Sequence, residues 1–550
     1  MLERGSGTTR KEAAYATRGM VTSNHPLASL ADNETLLRGG NAVDSAMATM
    51  FALTVVEPMM VSIFGAGFVN IRLADGRSTV IDNYATVPNA ATPDMFEPVP
   101  DSLDHAVRDE ANALGHRAVA VGGTLKGWSA AIERYGRLSL AEVAPPAIRF
   151  ARDGFRVSPY LRGVIANSRP LLERYPDSAA VFLANGHVPE VGDLIQREQY
   201  AQTLESIVQQ GPDYLYDGPL GEAIAADMSA NGGLVTTDDI AGYQIVEREP
   251  VRGTVFGHEI TGPPPPSSGP AHIIQMLKIL EGFDIPSLGF GHPDAVHATA
   301  EAMKIAFADR FRYMADPLTT PVPLEWLTSD GYAAERGAEL DLARSGDYGA
   351  GTPAPEGNST THCTAMDSEG NVVSTTNTIH YAFGSKVTVP GTGVLLNNCM
   401  QLMDPVPGRT NSIAAGKRIL SSMSPVIVTR DGQSVMALGT PGGLRIFGVV
   451  AQGLINVLAY GMSLQEAVEA PGLWGRGLEL EQGFDDVSQL QREMERREHP
   501  VAQVYTVAGG MNGLLRHPDG RIEGAACWRA DGVPMGFSGG DGQVETGYQA

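Results

Sequence analysis

The 550-residue chain is 43% hydrophobic and 19% charged, the proportions of a soluble globular protein with a large core. Its 40 basic residues against 63 acidic ones give a net charge of −23, which argues against nucleic acid or an anionic membrane surface as a partner. No apolar run approaches the ~18 residues of a membrane span, and residues 1–20 lack the apolar stretch of a secretion signal. We therefore expect a cytoplasmic protein.

In the first part of the chain, helical and strand patterns follow one another in blocks. The predicted elements are helices within 25–58, strands over 65–73 and 78–85, mostly helices over 139–235, two strands within 246–264, and helices over 271–283 and 294–314. Thr236 or Thr237 can cap one of these helices, because acidic residues fill the turn that follows. A Pro/Gly-rich stretch, residues 344–359, then predicts a mobile linker.

After the linker the pattern is rich in strands. Strands are predicted over 361–367, 371–379, 392–398, within 424–440 and within 511–527, with one long helix over 446–470. Because strands and helices occur on both sides of the linker, we expect one layered fold shared by both parts rather than two separate domains.

Metal ligands and disulfides are sparse in the sequence. Cys363, Cys399 and Cys527 share no metal-like spacing, and an odd, small set argues against a disulfide framework. His297 and Glu301 are spaced i and i+4 on a predicted helix and could share a metal, but no third ligand lies near them. We predict no metal and no cofactor. Cys399 as a nucleophile is a minor alternative, because LLNNCM is typical of a buried strand end.

Thr360 and Thr361 follow the linker directly and open a threonine-rich strand pattern. A hydroxyl inside a chain has no base beside it, but breaking the Ser359–Thr360 bond would give Thr360 a free α-amine. An α-amine titrates near ~7.7 to 8.0, so part of it is neutral at working pH and can accept the hydroxyl proton. One residue then supplies both nucleophile and base. We predict that the chain cuts itself before Thr360.

Further residues offer partners for acyl transfer. Gly442 and Gly443 lack a Cβ, so their N–H groups can approach a tetrahedral oxyanion closely. Thr378 could return on an adjacent strand and hydrogen-bond the nucleophile, and Ser421 and Ser422 are additional polar groups. Each pattern also has a structural interpretation, since threonine favours strands and a Pro-Gly-Gly run favours a turn.

The chain resembles the γ-glutamyltransferase family of N-terminal-nucleophile hydrolases over nearly its whole length. The resemblance is carried by RGGNAVDSAMA (38–48), PPPPSSG (263–269), STTHCTAMDSEGNVVSTTNTI (359–379), RILSSMSPVIV (418–428) and GTPGGLRI (439–446), which occur in order. It implies an α+β fold, a four-layer αββα sandwich in which two stacked sheets lie between helical layers.

The resemblance also implies roles for single residues. Self-cleavage would give a large subunit, 1–359, and a small subunit, 360–550, held together noncovalently. The implied roles are nucleophile for Thr360, support of its hydroxyl for Thr378, oxyanion hole for Gly442 and Gly443, and substrate-side lining for Ser421 and Ser422.

Four positions depart from the family's substrate-binding pattern. Tyr84 stands where the family has an arginine, and His380 stands where it has an asparagine. Cys399 and Leu402 occupy the places of a glutamine and an acidic residue. Loss of the arginine and the carboxylate removes both charge-assisted contacts that recognise a γ-glutamyl zwitterion. Tyr84, His380 and Cys399 are then candidates to line an altered pocket, or they fill space vacated by other side chains.

We therefore expect a self-processing amide hydrolase that works through an acyl-enzyme on a small-molecule, non-γ-glutamyl acyl amide. Two alternatives stay open. One is a true γ-glutamyltransferase or glutathione hydrolase that grips its substrate by substituted contacts. The other is an inactive binding scaffold. The acyl group, the leaving amine and the oligomeric state are not specified by the sequence.

Overall fold

The computed structural model describes residues 9–100, 105–183, 185–349 and 359–538, and strands and helices occur in each of these ranges. The greater part of the predicted linker, residues 350–358, lies outside the described residues. Among the described residues, no helix combines the length and the apolar character that crossing a membrane requires.

The strands are β1 (Ala14–Ala16), β2 (Gly19–Ser23), β3 (Ala66–Arg72), β4 (Ser78–Asp82), β5 (Phe155–Arg156), β6 (Leu194–Ile195), β7 (Val246–Arg248), β8 (Val251–Val255), β9 (His258–Gly262), β10 (Ser359–Asp367), β11 (Val372–His380), β12 (Val426–Arg430), β13 (Gln433–Gly439), β14 (Leu473–Trp474), β15 (Glu479–Glu481), β16 (Ala502–Val504), β17 (Asn512–Arg516), β18 (Ile522–Ala526) and β19 (Val533–Phe537).

The α-helices are α1 (Pro26–Leu37), α2 (Ala42–Val56), α3 (Thr124–Tyr135), α4 (Leu140–Val143), α5 (Pro145–Asp153), α6 (Pro159–Leu172), α7 (Pro176–Phe182), α8 (Glu198–Gln210), α9 (Asp213–Tyr216), α10 (Pro219–Ala230), α11 (Thr237–Gly242), α12 (Gly269–Glu281), α13 (Ile285–Leu288), α14 (Pro293–Tyr313), α15 (Leu324–Leu327), α16 (Asp330–Gly337), α17 (Ile446–Leu458), α18 (Leu464–Glu469) and α19 (Val487–Arg496). Short 3-10 helices span Arg108–Glu110, His116–Ala118, Cys399–Leu402 and Gly443–Arg445.

Two seven-stranded antiparallel sheets form the centre of the molecule. Their strand orders are β1-β18-β17-β13-β12-β9-β8 and β19-β2-β10-β11-β3-β4-β7. Apolar side chains from both sheets, among them Met20, Met366, Ile427 and Leu514, are buried together between them. Helices α1 and α2 pack on the second sheet, and α12 and α17 pack on the first. The predicted α+β, four-layer αββα sandwich is confirmed.

Both sheets contain strands from before and after residue 359. Strand β2 lies between β19 and β10, and β3 pairs with β11. In the other sheet, β9 pairs with β12 and β1 pairs with β18. The two parts of the chain therefore contribute strands to both sheets of one layered fold.

Helix α2 packs against β10, and its last turn lies next to the start of that strand. Asn41 and Asp44 form a reciprocal capping box at its beginning, which satisfies N–H groups that the helix leaves unpaired. All of its residues, many of them Ala, Ser or Thr, are buried, because the helix lies between α1 and the sheet and needs small side chains for that contact. The helix ends at Glu57, next to the threonine-rich strands.

Several strand and helix boundaries differ from the sequence predictions. Residues 392–398, predicted as a strand, contain only an isolated bridge between Thr388 and Leu395. The predicted helix over 446–470 is two helices, α17 and α18, because Ser463 begins a new capping box with Glu466. Residues 246–264 hold three strands instead of two.

Candidate active site

Alternation along β10 sends neighbouring threonines to opposite faces of the sheet. Thr360 lies opposite Thr378 of β11, and His362 lies opposite Thr376. The His362 ring packs against Gly439 of the other sheet, so this face looks into the space between the sheets. Thr361 points the other way and donates a hydrogen bond to Glu57 at the end of α2, 2.6 Å away. Thr360 is therefore on the inter-sheet face and only 4% exposed.

The hydroxyl of Thr378 connects the two residues of the predicted cut. It donates a hydrogen bond to the carbonyl oxygen of Ser359 and accepts one from the Thr360 hydroxyl at 3.2 Å. It also accepts from the backbone N–H of His380 at 2.8 Å, so its one donor and two acceptor positions are all used. The β10–β11 register shifts between Ser359 and Thr360, which sets the bond between these residues apart from the regular ladder.

Gly442 and Gly443 form the turn from β13 into helix α17. Their φ angles of +142° and +60° lie in the region that favours glycine. Neither N–H has a hydrogen-bond partner among the described residues, whereas the Gly443 carbonyl accepts from the Ser422 hydroxyl at 2.8 Å. The free N–H groups stand at the positive end of a helix and can stabilise an anion. The turn follows Gly439, the last residue of β13, which packs against the His362 ring of β10.

Ser421 and Ser422 are held by the Pro-rich segment before α12. The Ser421 N–H donates to the Pro266 carbonyl at 2.9 Å, and its own carbonyl accepts from the N–H and hydroxyl of Ser268, each at 2.8 Å. Both serines are buried. Their backbone is therefore fixed from one side, while the Ser422 hydroxyl fixes the Gly443 peptide on the other.

Tyr84 lies on the same side of the sheet as Thr378. Its ring stacks on Phe68, with centroids 5.3 Å apart, and Phe68 is paired with Thr376 of β11. The Tyr84 side chain is 2% exposed, and its carbonyl oxygen accepts from Arg418 and Tyr243. At the position where the family pattern has an arginine, this chain thus carries a packed aromatic ring.

His380 is the first link of a buried polar chain. Its Nε2–H donates to the Gln401 Oε1 at 2.7 Å, and the Gln401 amide donates to the Tyr381 hydroxyl at 2.7 Å. Burial lowers the pKa of His380 to about 4, so the imidazole is neutral at physiological pH. This neutral ring follows Thr378 by two residues in the sequence, and the backbone N–H of His380 donates to the Thr378 hydroxyl. The sequence did not indicate Gln401, which no motif singles out.

Cys399 is fully buried at the start of a 3-10 helix, in the same apolar cluster as Tyr84. Burial raises the pKa of its thiol well above the usual range, which keeps it protonated and weakly nucleophilic. This environment disfavours the alternative in which Cys399 is the nucleophile. A direct role for Cys399 in substrate binding stays a prediction.

The expectation that His297 and Glu301 lack a third ligand is wrong. His499 joins them, and one potential donor atom from each residue lies within 4.8 Å of the others. These atoms already have hydrogen-bond partners: His297 Nδ1 and His499 Nε2 are 2.7 Å apart, and Glu301 accepts from Lys304, Gly346 and Tyr348. The cluster is a closed hydrogen-bond network that fastens the first residues of the predicted linker, Gly346 and Tyr348, to α14.

Glu57 is a titratable residue near Thr360 that sequence reasoning missed. It ends α2, is 2% exposed and accepts the Thr361 hydrogen bond. Burial, assisted by the charge of Asp531, raises its pKa to about 8, although the Thr361 bond acts against this. The only signal in the sequence is an acidic residue in an otherwise apolar run, MATMFALTVVEPMM.

An αββα sandwich with a threonine at the start of a central strand defines an N-terminal-nucleophile hydrolase. More narrowly, the chain belongs to the gamma-glutamyltranspeptidase family, whose sequence model matches residues 28–537. It is 50% identical over 537 residues to the Acylase ACY 1 proenzyme of Pseudomonas sp. (strain SE83), across 97% of this chain and 96% of that protein.

Two other relatives mark the range of the family. The Glutathione hydrolase proenzyme of Escherichia coli (strain K12) is 37% identical, across 95% of this chain and 92% of that protein. The crystal structure of cephalosporin acylase from Bacillus halodurans has a TM-score of 0.87 at 28% identity, covering 98% of this chain and 99% of that one. The chain is therefore an enzyme, an amidohydrolase or acyltransferase of the N-terminal-nucleophile type.

Proposed function

We propose that the protein is a self-processing acylase that cuts its own chain between Ser359 and Thr360 and then hydrolyses small N-acyl amides. The observation that carries the proposal is the hydrogen-bond arrangement at the bond to be cut. Thr378 donates to the Ser359 carbonyl and accepts from the Thr360 hydroxyl, so electrophile and nucleophile are held by one side chain.

Cleavage begins when the Thr360 Oγ attacks the Ser359 carbonyl carbon. The Thr378 hydroxyl stabilises the negative charge that develops on the carbonyl oxygen. The C–N bond then breaks, the nitrogen takes up the proton that the Thr360 hydroxyl lost, and an ester joins Ser359 to the Thr360 side chain. Water hydrolyses this ester, which leaves a carboxylate on Ser359 and a free hydroxyl and α-amine on Thr360.

Turnover uses the same hydroxyl with its new base. The neutral α-amine of Thr360 accepts the hydroxyl proton as Oγ attacks the substrate amide carbon. The N–H groups of Gly442 and Gly443 have no partner among the described residues and would receive the oxyanion. The proton passes to the leaving amine, and water releases the acid from the acyl-enzyme.

An acyl group other than γ-glutamyl is supported by the substrate-side residues. A γ-glutamyl zwitterion calls for charged partners, but Tyr84 is stacked on Phe68 and His380 is neutral. Two of the similar proteins are named as acylases, whereas the Escherichia coli relative is named a glutathione hydrolase. The latter activity stays the alternative. The cytoplasmic location stays a prediction from the sequence.

A substrate panel on the processed protein tests this function. Simple N-acyl anilides should be hydrolysed faster than a γ-glutamyl anilide, and the mass of the small fragment should show Thr360 as its first residue. Thr360→Ala should give one uncut band and no hydrolysis, while Thr360→Ser, which keeps a hydroxyl, should still be cut. Preference for the γ-glutamyl anilide would favour a glutathione hydrolase. A wild-type chain that stays uncut and inactive on every amide would favour the binding scaffold.

A further inference from the structure

Glu57 is placed at the junction of the two strands that carry the candidate catalytic threonines. The turn that it begins receives two backbone hydrogen bonds from the end of β11 and the loop beyond it. Ile379 donates to the Met60 carbonyl at 3.1 Å, and Phe383 donates to the Met59 carbonyl at 3.0 Å. The Glu57 side chain reaches β10 through Thr361. One short segment thus contacts the strands of both Thr360 and Thr378.

Only Thr361 separates the Glu57 carboxyl from the nucleophile. Thr361 is fully buried, and its hydroxyl donates to Glu57 Oε2 at 2.6 Å. Because consecutive Cα atoms are about 3.8 Å apart, the carboxyl lies within about one Debye length, ~10 Å at 0.1 M salt, of the Thr360 nitrogen. A charge on Glu57 would therefore be felt by an α-amine at that nitrogen.

Among the described residues, the charge that acts on the pKa of Glu57 is that of Asp531, which is negative and raises it. The titratable groups facing it are Asp531, from the segment before β19, and Tyr160, from α6. Asp531 is bonded by the Ser158 hydroxyl, and Lys11 is bound to backbone carbonyls, including that of Gly532 at 2.7 Å. This environment favours the uncharged form of the Glu57 carboxyl.

We propose that Glu57 is a positioning residue for the reaction at Thr360, acting through Thr361 as an uncharged carboxylic acid beside the nucleophile's α-amine. This role rests on the proposed function, because the amine exists only after cleavage. As a neutral acid, Glu57 fixes Thr361 without favouring the ammonium form of Thr360. As an anion it would attract the proton onto the amine and so remove the base that the hydroxyl needs.

The two groups titrate over the same range of pH. The α-amine has an ordinary pKa near ~7.7 to 8.0, and the pKa of Glu57 is raised to about 8 by burial. Loss of the first proton from the pair gives two forms, the active neutral pair and an inactive ion pair of carboxylate and ammonium. The rise of kcat/KM with pH then has its midpoint at a higher pH, and spans a wider pH range, than it would if the α-amine titrated alone.

The test is the pH dependence of kcat/KM in processed wild type and three variants. Glu57→Gln retains an oxygen for Thr361 but cannot ionise, so its rise should lie lower by about one pH unit, the size expected for unit charges at this separation. Thr361→Val removes the bond that favours the ionised carboxyl, so its midpoint should fall between those of wild type and Glu57→Gln. Thr361→Ser keeps the hydroxyl and should restore the wild-type midpoint.

The outcomes separate the role of Glu57 from the proposed function itself. If the small fragment of the wild type does not begin at Thr360, the proposed function fails. If it does, and the four midpoints coincide while only kcat changes, Glu57 is merely structural and the inference is overturned. Should Glu57→Gln fail to fold, the Thr361→Val and Thr361→Ser pair still decides, because equal midpoints in these two variants contradict the proposal.

Discussion

Thr378→Val removes one hydroxyl from the centre of the candidate site and keeps the shape of the side chain. In the uncut chain that hydroxyl donates to the Ser359 carbonyl, accepts from Thr360 and accepts from the His380 N–H. The first contact strengthens as charge develops on the carbonyl oxygen, whereas the other two hold the reacting groups in place. We therefore expect self-cleavage to suffer far more than folding.

The magnitude follows from the two kinds of contact. Loss of one donor to a developing oxyanion costs about 2.7–4 kcal/mol in the transition state, which is a roughly 10²- to 10³-fold slower cut. The His380 N–H is buried and would lose its partner, which costs about 1–3 kcal/mol of stability. That loss is within the ~5–15 kcal/mol by which proteins are usually stable, so the variant should fold.

The assay is the appearance of the two fragments over time on a denaturing gel, beside a thermal melt of each sample. Thr378→Ser is the matched control, because it retains the hydroxyl and should be cut at a rate near that of the wild type. A folded Thr378→Val chain that is cut within about threefold of the wild-type rate would refute the reasoning, since no other described side chain is hydrogen-bonded to the Ser359 carbonyl.

Two further predictions concern stability. A Cβ at Gly439 would lie 2.4 Å from the His362 ring, so Gly439→Ala should lower the unfolding free energy by about 1–3 kcal/mol. The control is Gly163→Ala, whose added Cβ meets no atom within 4 Å, and equal melting temperatures of the two variants would contradict the clash. His25 caps α1 through Nδ1, and burial lowers its pKa to about 4. The unfolded chain therefore binds a proton at His25 near pH 6.5, whereas the folded chain binds it only near pH 4. His25→Asn keeps a capping oxygen but cannot titrate. Relative to this variant, the unfolding free energy of the wild type should fall by about 2 kcal/mol between pH 6.5 and pH 4, a value discounted for partial exposure, and should not change above pH 7. A constant difference in melting temperature across this range would show that His25 does not titrate as stated.

Local chemistry in the sequence was enough to predict the elements that carry the site. The alternation of 361–367 and 371–379 predicted the two central strands, and the acidic turn predicted a cap at Thr236 or Thr237, which the structure places at Thr236, the start of α11. Residues 392–398 are as apolar as a strand, yet they pair only at an isolated bridge. Hydrophobic pattern alone did not distinguish a buried irregular segment from a strand.

Contacts between distant parts of the chain set the remainder of the site. Glu57 meets Thr361 across 304 positions, and His499 meets His297 across 202. No periodicity in a single sequence records such pairs, because each depends on how the sheets and helices stack. The sequence did suggest Thr360, which directly follows the linker, and Thr378, which could return on an adjacent strand, and the structure pairs the two on β10 and β11.

The position of the proposed cut explains how a chain can be broken beside its own nucleophile without losing its fold. Strand β10 begins at Ser359 and is flanked by β2, from before the cut, and β11, from after it. The new end of the small fragment is therefore held by the β11 ladder from Thr360 onward, by the β2 ladder from Cys363 onward, and by the Thr361 hydroxyl bond to Glu57. Because pairs such as β3–β11 and β9–β12 also join the fragments, the cut removes a covalent link but no layer of the core. The nucleophile gains a free amine while its position stays fixed, which a cut in the middle of a strand or in a free loop would not achieve.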